Sequence, residues 1–174
     1  MSKTHKMSTG LAFTPEKDLK MFSRMAAKGK RLDGFSGIGH GWTFTDAPPE
    51  DAIFDLTYEK DPSPDYFDIF RAAGWSSVVS MGDVHVFKAV PGTPPVHTSQ
   101  ESRREEIERQ QKQFGRYSAI TVSVWVFIFA VLWLMGVKWG ITFNVLLFAA
   151  IPVVYTVLPL LGYTHRLRAA RQAT

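Results

Sequence analysis

Two hydrophobic patterns divide the chain. Up to about residue 90 apolar positions come in short spaced groups, and from residue 117 they run almost without interruption. Tyr117–Val137 carries no charge and no proline, and Ile141–Tyr163 is equally free of charge. About 20 such residues, as a helix, cross a hydrocarbon core of roughly 30 Å. Only Lys138, Trp139 and Gly140 separate the two runs, so the pattern predicts a tight transmembrane hairpin with spans 117–137 and 141–163. Polar side chains within it are few: Ser118, Thr121, Ser123, Thr142, Asn144 and Thr156. Asn144 is expected to hydrogen-bond between helices, and Pro152 and Pro159 to bend the second one. With no ionisable group at depth, the hairpin reads as an anchor or packing element and not as a conduction path.

Ahead of the hairpin, periods of two and of 3.6 alternate. Met7–Phe13 is weakly strand-like, and Thr14-Pro15-Glu16 then has the form of a helix start, a hydroxyl cap followed by proline and an acid. That helix runs to Lys28 and stops at Gly29, with Leu19, Phe22, Met25 and Ala26 as its apolar face. Lys30–Phe35 and Trp42–Thr45 read as a strand pair, and Ala52–Tyr58 as another strand. Pro64 opens a second helix, ending at Gly74, with Tyr66, Ile69, Phe70 and Ala73 on one face. Trp75–Met81 and Val84–Val90 alternate around Gly82-Asp83, which suits a type II′ turn. This order predicts an α+β domain over residues 10–95: a ferredoxin-like antiparallel sheet with two helices on one face, behind a polar tail, 1–9.

Pro91-Gly92-Thr93-Pro94-Pro95 closes that domain. Residues 96–116 read as a linker and a charged juxtamembrane helix, with Thr98/Glu101 and Ser102/Glu105 at capping-box spacing. Glu105/Arg109 and Glu108/Lys112 are candidate i,i+4 pairs. Ile107 and Phe114 are its only apolar positions, so a solvated stalk is expected, with a weak contact to a second copy or to anionic lipid as the alternatives. Residues 164–174 form a basic tail.

Charge fixes the expected orientation. The chain holds 20 Lys+Arg against 16 Asp+Glu, a net +4. Residues 1–116 balance at 16 of each, so the excess belongs to Lys138, Arg166, Arg168 and Arg171. Basic residues flank the outer ends of the hairpin, from Arg103 to Arg116 and from His165 to Arg171, against one lysine in the turn. That asymmetry predicts both termini in the cytoplasm and a multi-pass protein of the cytoplasmic membrane. Tyr117, Trp139 and Tyr163 fall near the expected interfaces. The polar start shows no signal peptide. A neutral soluble part argues against direct nucleic-acid binding, and the lack of cysteine excludes disulfides, thiol nucleophiles and thiolate metal sites.

Candidate chemistry is sparse. Gly37-Ile38-Gly39-His40-Gly41 leads into strand-like Trp42-Thr43-Phe44, whereas a phosphate-cradling loop opens onto a helix. It reads as a recognition loop, with Gly39, His40, Gly41 and Trp42 as partner-binding candidates. Trp75 and His85 join them on the chance that one sheet face is open to a partner or a flat ligand. None of His5, His40, His85, His97 and His165 has metal-type spacing, and Asp55, Glu59 and Asp61 come with no nucleophile. No metal, cofactor or enzymatic activity is expected.

The phrase Phe22-Ser23-Arg24-Met25-Ala26-Ala27-Lys28-Gly29 with Leu32, then Ala73-Gly74-Trp75, Val84-His85-Val86-Phe87-Lys88 and Val96-His97-Thr98-Ser99, resembles the bacterial domain-of-unknown-function family 2812 over about Leu11–Arg109. That family's first helix ends in Met-Ala-x-Lys-Gly-Trp-x-Leu, and here Lys30 takes the place of the tryptophan. The resemblance implies a cytoplasmic domain followed by membrane helices, often encoded beside PadR-like transcriptional regulators, and implies no activity. The expectation is a membrane-anchored, non-catalytic regulatory or sensory domain that binds a partner protein or small ligand, with self-association into a homo-oligomer as a further expectation. The alternative is an accessory subunit of a membrane complex that works through Asn144, Pro152 and Pro159 of its hairpin.

Overall fold

The structure, a computed structural model, describes residues 3–36, 40–97 and 99–172. The chain divides into two units, residues 1–103 and 104–174.

In the first unit the elements are β1 (Lys3–Met7), α1 (Pro15–Ala27), β2 (Lys30–Phe35), β3 (Gly41–Asp46), β4 (Ile53–Tyr58), α2 (Pro64–Ala72), β5 (Ser76–Met81) and β6 (Val84–Ala89). The α+β class stands. Where one ferredoxin-like sheet was expected, the strands divide between two antiparallel three-stranded sheets, ordered β1-β3-β2 and β4-β6-β5. Each sheet is built from a strand, a helix and two further strands, and in each the last strand is central.

The two halves repeat in detail. Arg31, Leu32 and Phe35 pair with Thr45, Phe44 and Trp42, while Ser76, Ser77 and Ser80 pair with Lys88, Phe87 and His85. Both ladders shift register at the same step, between Leu32 and Gly34 and between Ser77 and Val79. Seven residues before the glycine that ends each helix stands a phenylalanine, Phe22 or Phe67. Phe22 meets Trp42 edge-on at 4.7 Å and Phe44 at 6.1 Å; Phe67 meets His85 edge-on at 5.4 Å and Phe87 at 6.2 Å. Gly29 and Gly74 both take positive φ, +71° and +89°. A Cβ on Gly29 would stand 2.7 Å from the Ala47 carbonyl, so that position needs glycine twice over.

The helices do not share a face. Phe22 of α1 touches Trp42 and Phe44 of the first sheet and Phe54 of the second, the last at 5.6 Å. Tyr66, Phe67 and Phe70 of α2 pack on Trp75, Phe87 and Ala89, whose side of the second sheet is opposite Phe54. Strand alternation explains this: Phe54, Leu56 and Tyr58 point one way, Asp55 and Thr57 the other.

Asp18 is the unexpected member of the α1 stripe. It is 1% exposed, where Leu19 had been expected to face the core. Its carboxylate accepts the Trp42 indole N–H at 3.1 Å, the Thr9 amide at 3.1 Å and the Ser8 hydroxyl. Thus it gathers the β1–α1 loop and β3 onto the helix. Thr14, expected as an N-cap, bonds no helix amide; its hydroxyl donates to the Thr9 side chain at 3.0 Å. The first strand also starts earlier than expected. It occupies Lys3–Met7, within the expected tail, and 11–13 form a turn.

The second unit is a pair of long helices, α3 (Gln100–Leu134, 35 residues) and α4 (Trp139–Gln172, 34 residues). Both are long and apolar enough to cross a membrane. The expected linker helix and first span are one continuous helix, capped by Ser99, whose hydroxyl accepts the Ser102 amide at 3.1 Å; Thr98 lies outside the described residues. Polar contacts join the pair: Gln111 to Thr164 at 3.0 Å, Thr121 to Thr156 at 2.9 Å, and the Trp125 indole to the Leu146 carbonyl at 3.0 Å. Phe114 lies on Tyr163 at 5.6 Å, and Ile107 and Leu167 are buried. The expected solvated stalk is therefore a packed helix pair, and the expected tail is helical through Gln172.

Replacing Asp18 by alanine strands the Trp42 N–H and the Thr9 amide. The expected loss is about 2–4 kcal/mol in chemical unfolding of the full chain in detergent, followed by tryptophan fluorescence. Thr14→Ala is expected to stay within about 0.5 kcal/mol. Equal effects of the two would show that Asp18 is not the organising contact.

Candidate functional site

The aromatic and histidine candidates occupy the interior. Trp42 of β3 is wholly buried against Phe22 of α1, and its ring also contacts Phe35 at 4.1 Å. Trp75 is buried in the α2 cluster and donates its indole N–H to the Pro94 carbonyl at 2.9 Å, which ties the segment after β6 to the domain. His85 is buried with both ring nitrogens engaged, Nδ1 with the Ser80 hydroxyl and Nε2 with the Glu59 carbonyl, each at 2.9 Å. A carbonyl only accepts, so Nε2 carries a proton. In the expected open face these three would meet a partner. They are instead covered by helices or strands because they stand on the helix-facing positions of each sheet.

Of the glycine-rich loop, Gly39 lies outside the described residues. His40 is exposed, and its carbonyl accepts the Ser8 amide at 3.2 Å. Gly41 begins β3, where a Cβ would stand 2.3 Å from the Lys6 carbonyl; the glycine serves the β1–β3 approach. Asp55, suspected of carboxylate chemistry, is buried and accepts the amides of Leu56 at 2.9 Å and Val96 at 3.2 Å. That is a structural bracket, since both partners are backbone.

One side of the first sheet differs from every other. Lys3, Thr45 and Arg31 stand in one cross-strand row, and His5 and Thr43 in the next. Directly opposed residues share a face, and the His5 Nδ1–Thr43 Oγ1 distance of 3.2 Å agrees. Lys3, His5, Met7 and Arg31 are exposed, whereas Thr43 and Thr45 between them are buried. The Thr45 hydroxyl has no hydrogen-bond partner among the described residues. This face lies on β1, within the residues expected to form a polar tail. The alternation Lys3-x-His5-x-Met7 is the signal that was there to be used.

In the helix pair, Asn144 is exposed and donates its amide to Gly140 of its own helix at 2.7 Å, so it does not join α3 to α4. Pro152 and Pro159 lie within α4, which stays helical through both. The Thr156 hydroxyl, 3.0 Å from the Pro152 carbonyl, serves that stretch of backbone. Among the described residues no three His, Asp or Glu side chains come together as a metal site would require.

A family model described as a protein of unknown function, DUF2812, matches residues 14–119. The chain belongs to this family. No curated protein and no solved structure matches it. The DUF2812 match takes in both helices of the first unit and five of its strands, and ends just inside the apolar run. The Gly-Trp pair expected from the resemblance occurs in the second half, at Gly74-Trp75. In the first half Lys30 takes that place and forms an ion pair with Asp46.

Trp75→Phe keeps the ring in the core and deletes its bond to Pro94. The expected cost is about 1 kcal/mol, with faster amide exchange confined to the non-proline residues of 92–97. Exchange that rises throughout the domain would mean that the indole serves packing rather than this tie.

Proposed function

We propose that the chain is a membrane-anchored, non-catalytic regulatory or sensory protein, with both termini in the cytoplasm and α3–α4 spanning the cytoplasmic membrane. The spanning reading is supported by the side chains the helices leave uncovered: Phe127, Trp133, Leu134, Trp139 and Phe148 are 68 to 76% exposed. So large an apolar surface is unfavourable in water and natural in lipid. The basic outer ends favour the stated orientation.

The observation that carries the binding role is the outer face of the first sheet. A buried, unpartnered Thr45 hydroxyl beneath Lys3 and Arg31 is an acceptor and donor held in reserve. Cations around it favour an acidic segment of a partner protein over a neutral surface. A PadR-like regulator is the partner that the family resemblance suggests. The expected outcome of photo-crosslinking in native membranes is capture of one protein from positions 5 and 31, and not from Ile69 on α2. Capture from hairpin positions alone would reject this face.

The second reading, an accessory subunit working through its hairpin, is favoured by Asn144. An amide on the outward side of an apolar helix is better placed against another helix than against lipid tails. Exchange of residues 117–163 for an unrelated hairpin is expected to leave the crosslinks from positions 5 and 31 intact; their loss would favour the accessory-subunit reading. Extraction with alkaline carbonate tests the span itself, and release of the full chain into the aqueous phase would end the membrane reading.

A further inference from the structure

Glu108 is the last acidic residue in the chain. The expected Glu108–Lys112 pair is not the one that forms: Glu108 is held by Arg104, at 3.2 Å, on its N-terminal side. Beyond that pair come Lys112 and Arg116 on α3, and His165 and Arg168 on α4, all four exposed. No carboxylate of α3 or α4 follows to neutralise them.

Their heights along the helices are set by the Gln111–Thr164 bond, which fixes the antiparallel register. At a rise of about 1.5 Å per residue, Lys112 and His165 differ in level by only about 3 Å. Arg116 directly precedes the apolar run, and Lys112 stands about 7.5 Å outside it. His165 and Arg168 stand about 3 and 7.5 Å beyond Tyr163, where the second run ends. A bilayer's polar layer is roughly 5–8 Å deep on each side of its hydrocarbon core. On that register the four backbone positions span about 13.5 Å, with Arg116 innermost, Arg168 outermost and Lys112 and His165 between them. Side chains lean toward the N-terminus of their own helix, which carries the Arg116 group outward and the Arg168 group inward, toward one headgroup layer. At the opposite end of the hairpin Lys138 is the only cation.

We infer that Lys112, Arg116, His165 and Arg168 form a collar that binds the phosphate groups of acidic phospholipids. This rests on the membrane-spanning reading. Each guanidinium offers a planar fork of N–H donors to phosphodiester oxygens, and the lysine a point charge. Exposed Tyr117, one residue inside Arg116, adds an amphipathic ring at the same depth. Each Lys or Arg near an anionic surface strengthens association by about fivefold. The collar thus gives the chain a preference among lipids, beyond a hold on any bilayer.

The test uses the full chain in nanodiscs of phosphatidylcholine mixed with phosphatidylglycerol, with retained lipids counted by native mass spectrometry. Phosphatidylglycerol is expected to be enriched above its bulk share, more strongly at low salt. The variant K112Q/R116Q/R168Q is expected to lose about fivefold of that enrichment for each cation removed. K138Q, at the other end, is expected to keep it. Equal retention by the wild type and the triple variant, or equal loss in K138Q, would overturn the collar. Failure of the spanning reading has a separate signature: the chain would stay in solution without detergent and retain neither lipid.

Discussion

Phe22 joins the two halves of the first unit. Its ring is wholly buried, with Trp42 and Phe44 of one sheet on one side and Phe54 of the other sheet on another. Neither three-stranded sheet could exclude water from both faces alone, because each brings one helix. Placing α1 between them lets a single helix serve two sheets, while α2 closes the far side of the second. The first sheet's outer face is what this arrangement leaves over. It is polar for that reason, with Lys3, His5 and Arg31 where the second sheet has Phe54, Leu56 and Ser76.

The shared register shift shows how closely the halves follow one plan. Lys30 and Asp46 replace Trp75 and Ala89, so an ion pair stands at the margin of one half where an apolar contact stands in the other. A partly exposed ion pair contributes little to stability. In the first half Asp18 accepts the Trp42 indole N–H, and the strand position equivalent to Trp42 in the second half is His85, bonded to Ser80 and Glu59.

Much of this was legible in the residues, and the exceptions have physical causes. Pro15, Gly29, Pro64 and Gly74 punctuate the helices, and β-strand alternation marks β2 to β6, because both signals are local. β1 escaped because an edge strand paired through its backbone needs no apolar face: Lys3, His5 and Lys6 are all exposed. Asp18 escaped because a carboxylate in a buried stripe is intelligible only once Ser8, Thr9 and Trp42 are seen around it. The repeat was hidden because equivalent positions keep shape and not identity, as Trp42 and His85 do, and because α2 is shorter than α1. In the hairpin, length and apolarity were plain. Asn144 was misplaced because sequence gives a helix's composition without its rotation, and Tyr163, expected at an interface, turned inward onto Phe114.

The unbroken course of α3 has a mechanical consequence. From Gln100 to Leu134 it contains no proline, and its hydrogen-bond ladder runs past the point where the apolar residues begin. Gly115, two residues before that point, is its only glycine, and the helix is continuous through it. A tilt of roughly 10° about residue 117 would swing its first turn sideways by about 4 Å, a lever arm of 17 residues at 1.5 Å each. On the proposed spanning reading, a change in bilayer thickness that tilts α3 would in this way reach the start of the helix, with Gly115 as the point where part of it is absorbed.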